Sequence, residues 1–331
     1  MPKKTKVTIS LLSYNGELYL PWLLQSIKQQ TFSDWELLVM DNASADNSVK
    51  VIREFCPEAR IVTQKRNLGF AKGHNLLINW SDSDYVFVLN QDLILDSNYL
   101  KTLVDYLDKN DQVASVAGKL MYWNFEEGKK TDQIDSFGLK INRQRQASDL
   151  YQGQIDFAQE NQEVFGLSAT ATLYRRKSLD IVAYSSSDNH KEYFDEDFFS
   201  YKEDVDLAWR LRLLGWKNYL LTSTCAYHHR SVSSLNGLKA RRQHRVMANK
   251  LSYRNHLLMI YKNSFAKNLR QDFFYIKWYE FKKFIYLLLF ERSTLAGIKE
   301  YFKLLPKMRK KRSYIMKQRK VNPEDMAKWF K

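Results

Sequence analysis

The chain is poor in the residues that mark several functional classes. It has only two cysteines, Cys56 and Cys225, in 331 residues. That is too few for a disulfide framework and compatible with a reducing compartment. No Cys-x-x-Cys and no His-x-x-x-His spacing occurs, so a structural zinc site is not expected. No Gly-x-Gly-x-x-Gly, no P-loop and no Gly-x-Ser-x-Gly elbow is present, which removes the usual dinucleotide, nucleoside-triphosphatase and serine-hydrolase signatures. No apolar stretch approaches the roughly 18 residues of a spanning helix; the densest, "FIYLLLF" at 284–290, has seven. The N-terminal "MPKKTKVTIS" is basic but lacks the apolar run and cleavage site of a secretory signal. A cytoplasmic location is therefore expected.

What is present is an ordinary globular composition, 44% hydrophobic and 27% charged. The length suits one large domain or two modest ones and allows about 75% of the unfolded surface to be buried. The net charge of +15 is unevenly spread. Residues 239–331 carry 25 Lys and Arg against 6 Asp and Glu, whereas residues 1–238 carry 27 against 31. A slightly acidic body with a strongly basic, aromatic-rich tail points to a polyanionic partner, a membrane surface or nucleic acid. A division at 238/239 follows.

The first hundred residues alternate two periodicities. "KVTISLLSY" (6–14), "WELLVMD" (35–41), "ARIVTQ" (59–64) and "DYVFVLN" (84–90) read as buried strands. Between and after them, 17–30, 46–55 and 98–109 read as helices and 67–80 as a Gly-punctuated turn into a helix, with Pro21 in the first turn of one and Asp46 capping another. Near-continuous apolar strands separated by helices predict a parallel sheet covered on both faces. Further on, 112–123, 138–141, 163–176 and 216–229 read as strands, 142–154 as a loop and 203–214 as a helix. From about 240 the pattern is helical.

In such sheets ligands sit beyond the carboxyl ends of the strands. The four exits deliver Ser13, Tyr14 and Asn15; Asp41, Asn42 and Ser44; Lys65, Arg66 and Asn67; and Asn90, Gln91 and Asp92. In the helix from Glu203, Asp204 falls in line with the apolar stripe of Leu207, Ala208, Leu211 and Leu214, while Glu203 and Asp206 face elsewhere. First-turn acids stabilise a helix by about 0.3–1 kcal/mol each, but an unpaired carboxylate on the buried side is costly, and one at a cleft edge is a natural general base. His228 and His229 close the last strand of the acidic body. Asp92 with a histidine is an ordinary donor set for a divalent metal.

"SYNG" (13–16), "DNASADNS" (41–48), "RNLGFAKGHN" (66–75), "LNQD" (89–92), "FFSYKEDVDLAWRLRLLGW" (198–216) and "AYHHRSVSS" (226–234), in this order, resemble the inverting glycosyltransferases of family 2. The closest subgroup in pattern is the rhamnosyltransferase-like enzymes of bacterial surface polysaccharide synthesis. The likeness spans about 5–235 and continues weakly into "SYRNHLLMIYKN" (252–263). It implies a GT-A fold: an α/β, Rossmann-like nucleotide-binding half with a mixed, mostly parallel sheet, then an acceptor half, here followed by the basic helical region.

The resemblance also implies roles. Ser13, Asn15, Asp41 and Asn42 would hold the base and ribose of a nucleotide-sugar. Arg66, Asn67, Gly69 and Asn75 match the segment beside the nucleotide. Asp92 matches the last acid of the Asp-x-Asp motif, which binds Mg2+ or Mn2+ on the diphosphate; Asn90 stands at its first position and Gln91 where relatives often carry proline. Asp204 matches the catalytic base. His228, five residues before Ser233, fits the metal-binding histidine better than His229. The implied reaction moves a sugar, rhamnose from dTDP-rhamnose first, to a glycan or lipid-linked glycan. For the basic end, family likeness favours an anionic membrane at the inner face of the cell membrane, over helices packing back on the body or nucleic-acid binding. A sugar-phosphate nucleotidyltransferase is a further alternative, but "SYNGELYL" lacks the Gly-rich, Arg-containing loop of that class.

Overall fold

The computed structural model describes residues 4–185, 190–230 and 238–331. The first half runs β1 (Val7–Ser13), α1 (Leu20–Lys28), β2 (Trp35–Asp41), α2 (Ser48–Phe55), β3 (Arg60–Thr63), α3 (Gly69–Asn79), β4 (Tyr85–Leu89), β5 (Leu93–Leu95) and α4 (Tyr99–Lys109). Then follow β6 (Val113–Asn124), β7 (Lys129–Ser136), β8 (Leu139–Ile141), β9 (Ala147–Asp149), β10 (Gln162–Val164), β11 (Ala171–Arg175), α5 (Arg176–Val182), β12 (Tyr184–Ser185), β13 (Lys191–Glu192), α6 (Glu203–Leu213) and β14 (Lys217–His228). The chain ends in α7 (Leu238–Asn263), α8 (Ala266–Gln271), α9 (Phe273–Phe290), α10 (Ala296–Gln318) and α11 (Pro323–Ala327).

The main sheet has the order β10-β14-β6-β11-β4-β1-β2-β3, with β5 beside β14 and β7 beside β6. The pairs β1–β2, β1–β4, β2–β3 and β6–β14 are parallel; β11 runs antiparallel between β4 and β6. The expected mixed, mostly parallel sheet is present. Alternation along β4 shows why both faces are covered. Tyr85, Phe87 and Leu89 join Leu20, Leu23, Leu24 and Ile27 of α1 and Leu100, Leu103 and Leu107 of α4 on one face. Val86 and Val88 join Ile78 of α3, Leu179 of α5 and Leu207 and Leu211 of α6 on the other. Each such buried aliphatic side chain contributes about 1.5–3 kcal/mol.

Several boundaries differ from the sequence reading for local reasons. The helix expected from Asp46 starts at Ser48 with Asn47, not Asp46, as its N-cap, although the Asp46 carboxylate accepts the Ser48 N–H at 3.0 Å. The strand expected over 163–176 is two, β10 and β11, because the chain turns at 166–170 to meet α6. A Cβ on Gly166 would lie 2.4 Å from the Ala208 Cβ, so only glycine lets that turn close on the helix. β5, β7 and β9 were not anticipated. The final residues of the 226–234 motif, Ser233 among them, lie outside the described residues.

α6 sits between two cores. Leu207, Leu211 and Leu214 face the sheet. Val205, Ala208, Trp209 and Leu213 face Leu258 and Met259 of α7, Met308 and Ile315 of α10 and Phe330. Being covered on all sides, α6 buries Glu203 and Asp206 as well. The expectation that only Asp204 points inward is therefore corrected: Asp204 is half-buried and its two acidic neighbours are buried. α9 is the opposite case, burying only Ile276 and Leu287.

Candidate active site

β1 and β2 end in register, Ser13 opposite Asp41. Both side chains are buried, and Ser13 Oγ and Asp41 Oδ1 have no hydrogen-bond partner. The other Asp41 oxygen accepts the Ser44 N–H at 3.1 Å. An unmet buried acceptor costs about 1–3 kcal/mol, which a ligand donor group would offset. Asn42 builds the wall beside them. Its Nδ2 donates to Asn67 Oδ1 at 2.9 Å, its Oδ1 accepts the Leu68 N–H at 2.7 Å, and Asn67 Oδ1 also takes the Gly69 N–H at 2.8 Å. Gly69 has φ +80°, and a Cβ there would lie 2.5 Å from the Phe199 carbonyl oxygen. Asn15, at φ +49°, accepts the Ala45 N–H at 2.8 Å and donates its own N–H to Ser44 Oγ at 3.0 Å. Arg66 is exposed beside Asn67.

Two of the expected residues have their amides committed within the protein. Asn75 is fully buried; it donates to the Phe194 carbonyl at 2.8 Å and accepts the Tyr193 and Phe194 N–H groups. Gln91 spans both backbone groups of Tyr14, accepting at 2.8 Å and donating at 2.9 Å. It ties the β4 exit to the β1 exit. Asn90 is half-buried there, its N–H on the Thr170 carbonyl.

Asp92 is buried, with Oδ1 3.4 Å from His228 Nε2. His228 Nδ1 lies 2.8 Å from Asp135 Oδ2, and Arg230 Nε donates to the other Asp135 oxygen. Burial drives the His228 imidazole toward its neutral form, but the Asp92 and Asp135 carboxylates overcome this and lift it to about 9. Burial likewise raises Asp135, and its bonds to His228 and Arg230 bring it below the usual carboxylate range. As an imidazolium His228 donates from both ring nitrogens; a metal at Asp92 would displace the Nε2 proton, and the Asp135 carboxylate behind Nδ1 would then fix the tautomer, as behind metal-binding histidines. Asp92 and His228 fit Mg2+ or Mn2+ on donor chemistry. His229 is turned away: its ring packs with Tyr19, Trp123 and Phe125.

Asp204 stands at the start of α6 after three left-handed non-glycine residues, Phe199 (φ +64°), Tyr201 (+74°) and Lys202 (+70°). Each costs on the order of 1–3 kcal/mol and persists only where surroundings hold it. Burial, opposed by the Val205 N–H and Lys202, raises the Asp204 carboxyl above its usual range, and Asp149 adds to the rise. Burial and the adjacent Asp204 push Glu203 up to about 8, so it is largely protonated at neutral pH. Asp149 also connects the two half-sites. It accepts from Arg230 Nη2 at 3.2 Å, and Arg230 reaches Asp135 behind His228.

A second acidic group, Glu192, Asp195 and Asp197, has oxygens within 4.8 Å of one another. Its cation is internal: Lys311 Nζ donates to all three. Asp135, Arg230 and Asp149 escaped the sequence reading, and Glu203 was read only as a first-turn acid facing away from the cleft. Asp135 lies 93 residues from His228, in a segment whose apolar pattern is too broken to mark a strand.

The family model described as "Glycosyl transferase family 2" matches residues 8–182, more than half of the chain. The chain is 29% identical over 121 residues to the UDP-Glc:alpha-D-GlcNAc-diphosphoundecaprenol beta-1,3-glucosyltransferase WfgD of Escherichia coli, covering 36% of this chain and 46% of that one. It is 30% identical over 116 residues to the O-antigen chain rhamnosyltransferase RfbN of Salmonella typhimurium, covering 34% and 37%. It thus spans less than half the length of these relatives. Among solved structures, GalNAc-T7 with UDP, GalNAc and Mn2+ matches with a TM-score of 0.60 at 10% identity, over 81% of this chain and 49% of that one. TarS of S. aureus matches at 0.50 and 17% identity, over 80% and 45%. These likenesses establish the GT-A arrangement of the sheet. With the family model spanning β1 to α5, the chain belongs to glycosyl transferase family 2.

Proposed function

We propose that the protein transfers a sugar from a nucleoside-diphosphate sugar to a hydroxyl of a bacterial surface glycan, with inversion at the anomeric carbon. The observation that carries this is the pair of unmet buried acceptors, Ser13 Oγ and Asp41 Oδ1, side by side at the exits of β1 and β2. They suit the N–H and O–H donors of a base and ribose; Asn15, Asn42, Arg66, Asn67 and Gly69 shape the wall around them. Asn75 supports that wall from within. A Mg2+ or Mn2+ ion held by Asp92 and His228 would neutralise charge on the departing diphosphate. Asp204 accepts the proton of the attacking hydroxyl as its oxygen bonds to the anomeric carbon and the carbon–phosphate-oxygen bond breaks. One base and in-line attack give inversion without a covalent intermediate.

The donor reading follows the family pattern, dTDP-rhamnose first; the relatives' names supply one rhamnosyl and one UDP-glucose precedent. The test incubates the full chain with Mn2+ and dTDP-rhamnose, UDP-glucose, UDP-N-acetylglucosamine or GDP-mannose. Released nucleoside diphosphate is measured, and the configuration of the freed sugar is read by proton NMR. Inverted sugar from one donor supports the proposal. No release from any donor, or a retained configuration, removes it.

The acceptor face is read as membrane-bound. Among the described residues no helix is long and apolar enough to span a bilayer, but α9 exposes Phe274, Trp278, Phe281, Leu289 and Phe290. Between α9 and α10, Phe284, Leu295, Ile298 and Phe302 line a groove of about 700 Å³ together with Lys299 and Lys303. Lys277, Lys282 and Lys283 lie against aromatic rings of the same helix. Apolar side chains with flanking lysines fit a helix lying in the interface of an anionic membrane, consistent with a peripheral enzyme at the inner face taking a lipid-linked glycan. Nucleic acid is less favoured, because Arg254, Lys262 and Lys311 of the basic region are buried on protein oxygens.

A further inference from the structure

We infer that α7 is part of the catalytic apparatus: Asn255, with Arg254 and Lys262, holds the strained segment that presents Asp204, making these three positioning residues for transfer. The inference rests on the proposed role of Asp204. It concerns residues outside both the family-model match and the crevice.

Local bonds across the segment are few: the Phe199 N–H donates to the Glu196 carbonyl at 3.2 Å and the Ser200 N–H to the Phe198 carbonyl at 2.7 Å. Phe199, Tyr201 and Lys202 are all left-handed, and α6 starts at Glu203 with no side-chain bond from its N-cap, Lys202. The holding groups come from α7. Asn255 is fully buried, and its Nδ2 donates toward the carbonyls of Phe198, Ser200 and Tyr201 at 3.0, 2.9 and 2.7 Å. Arg254 Nη2 donates to the carbonyls of Asp197 and Phe198 at 2.7 and 3.0 Å, and its Nε fixes Asn255 Oδ1 at 3.0 Å. The remaining carbonyl, of Phe199, accepts the Ala71 N–H of α3 at 3.2 Å. One dipeptide therefore satisfies four of five successive carbonyls, and the nucleotide half satisfies the fifth.

Two turns further along the same face of α7, buried Lys262 clamps the segment's ends. Its Nζ pairs with Asp195 and, at 2.8 Å, with Asp206. Asp195 precedes the segment and Asp206 follows Asp204. The backbone that carries Asp204 is thus held before and after it, and a base needs such restraint: a displacement of about 1 Å can cost about 100-fold in rate.

The test compares the full chain with Asn255→Asp, which keeps the size but loses both N–H donors, Asn255→Ala, and Arg254→Lys, which keeps one donor. Readouts are kcat and KM for donor turnover, UDP and dTDP binding, melting temperature, and hydrogen exchange of peptides across 197–206. Asn255→Asp is expected to lower kcat about 100-fold with KM and nucleotide affinity within twofold. Protection should be lost within 197–206 but kept in β1 and β2. Arg254→Lys should lose less than tenfold. A kcat within twofold of the parent in both Asn255 variants overturns the inference. So does a collapse of kcat, KM, melting and protection together in all three variants. If the parent turns over no donor, exchange still decides: protection lost only across 197–206 supports the clamp, and unchanged protection refutes it.

Discussion

Glu203→Gln is expected to make the protein more stable at pH 8 and no more stable at pH 5. In the folded chain burial and Asp204 hold the Glu203 carboxyl at about 8, against an ordinary 4.5. Between these values the folded protein keeps a proton that the unfolded chain has released. Stability therefore falls as pH rises through that window, by up to about 1.4 kcal/mol per pH unit. Summed to pH 8 the upper bound is about 5 kcal/mol. Glutamine cannot ionise, so its slope disappears. It leaves an extra buried N–H beside an oxygen that already lacks a partner, at a cost of about 1–3 kcal/mol. The net expectation is a gain of about 2 kcal/mol at pH 8 and a small loss at pH 5, so the two stability curves cross. Urea unfolding of parent and variant at pH 5, 6, 7 and 8 measures this directly. Parallel curves would refute the placement of a protonated carboxyl beside Asp204.

Other expectations follow from the same geometry. Asp204→Asn should lower donor turnover by about 10²- to 10⁴-fold, the usual worth of a general base, while nucleotide-induced stabilisation stays as in the parent. Asp135→Asn removes the carboxylate behind His228 and should weaken Mn2+ affinity by about 10- to 100-fold, read by metal titration of nucleotide-dependent stabilisation. Replacing Phe274, Trp278 and Phe281 with serine should abolish co-sedimentation with vesicles containing anionic phosphatidylglycerol while donor turnover in solution persists. Binding unchanged by the triple substitution would remove the membrane reading of α9.

The parts of the fold legible in the sequence are those with one dominant period. β1, β2 and β4 are near-continuous apolar runs, so their exits and the polar residues there could be placed by position. The proposed metal pair was partly legible: Asp92 lies just past such a strand and motif spacing favoured His228 over His229, and the structure turns His228 toward Asp92 while His229 packs half-buried among aromatic rings. Gln91 and Asn75 illustrate the limit. Position put them in the crevice, whereas their amides are spent on Tyr14 and on the 193–194 backbone. α6 misled in another way. Its apolar stripe marked Asp204 correctly as near a core, but a second core on the opposite face buries Glu203 and Asp206. The tail's charge was read as facing a partner, yet Lys262 and Lys311 neutralise Asp195, Asp206 and Glu192 inside the protein. Contacts made across dozens of residues, as from Asn255 to Ser200, leave no periodic trace.

The most direct measurement is nucleotide-dependent stabilisation of the parent and Asp41→Asn, using UDP, dTDP, GDP and CMP, each with and without Mn2+. A ligand at about 100 times its dissociation constant adds about 2.7 kcal/mol. The expected result is stabilisation by one nucleotide, enhanced by Mn2+ and lost in Asp41→Asn. Stabilisation by none of them, or an equal effect in Asp41→Asn, would contradict a nucleotide seat at the exits of β1 and β2.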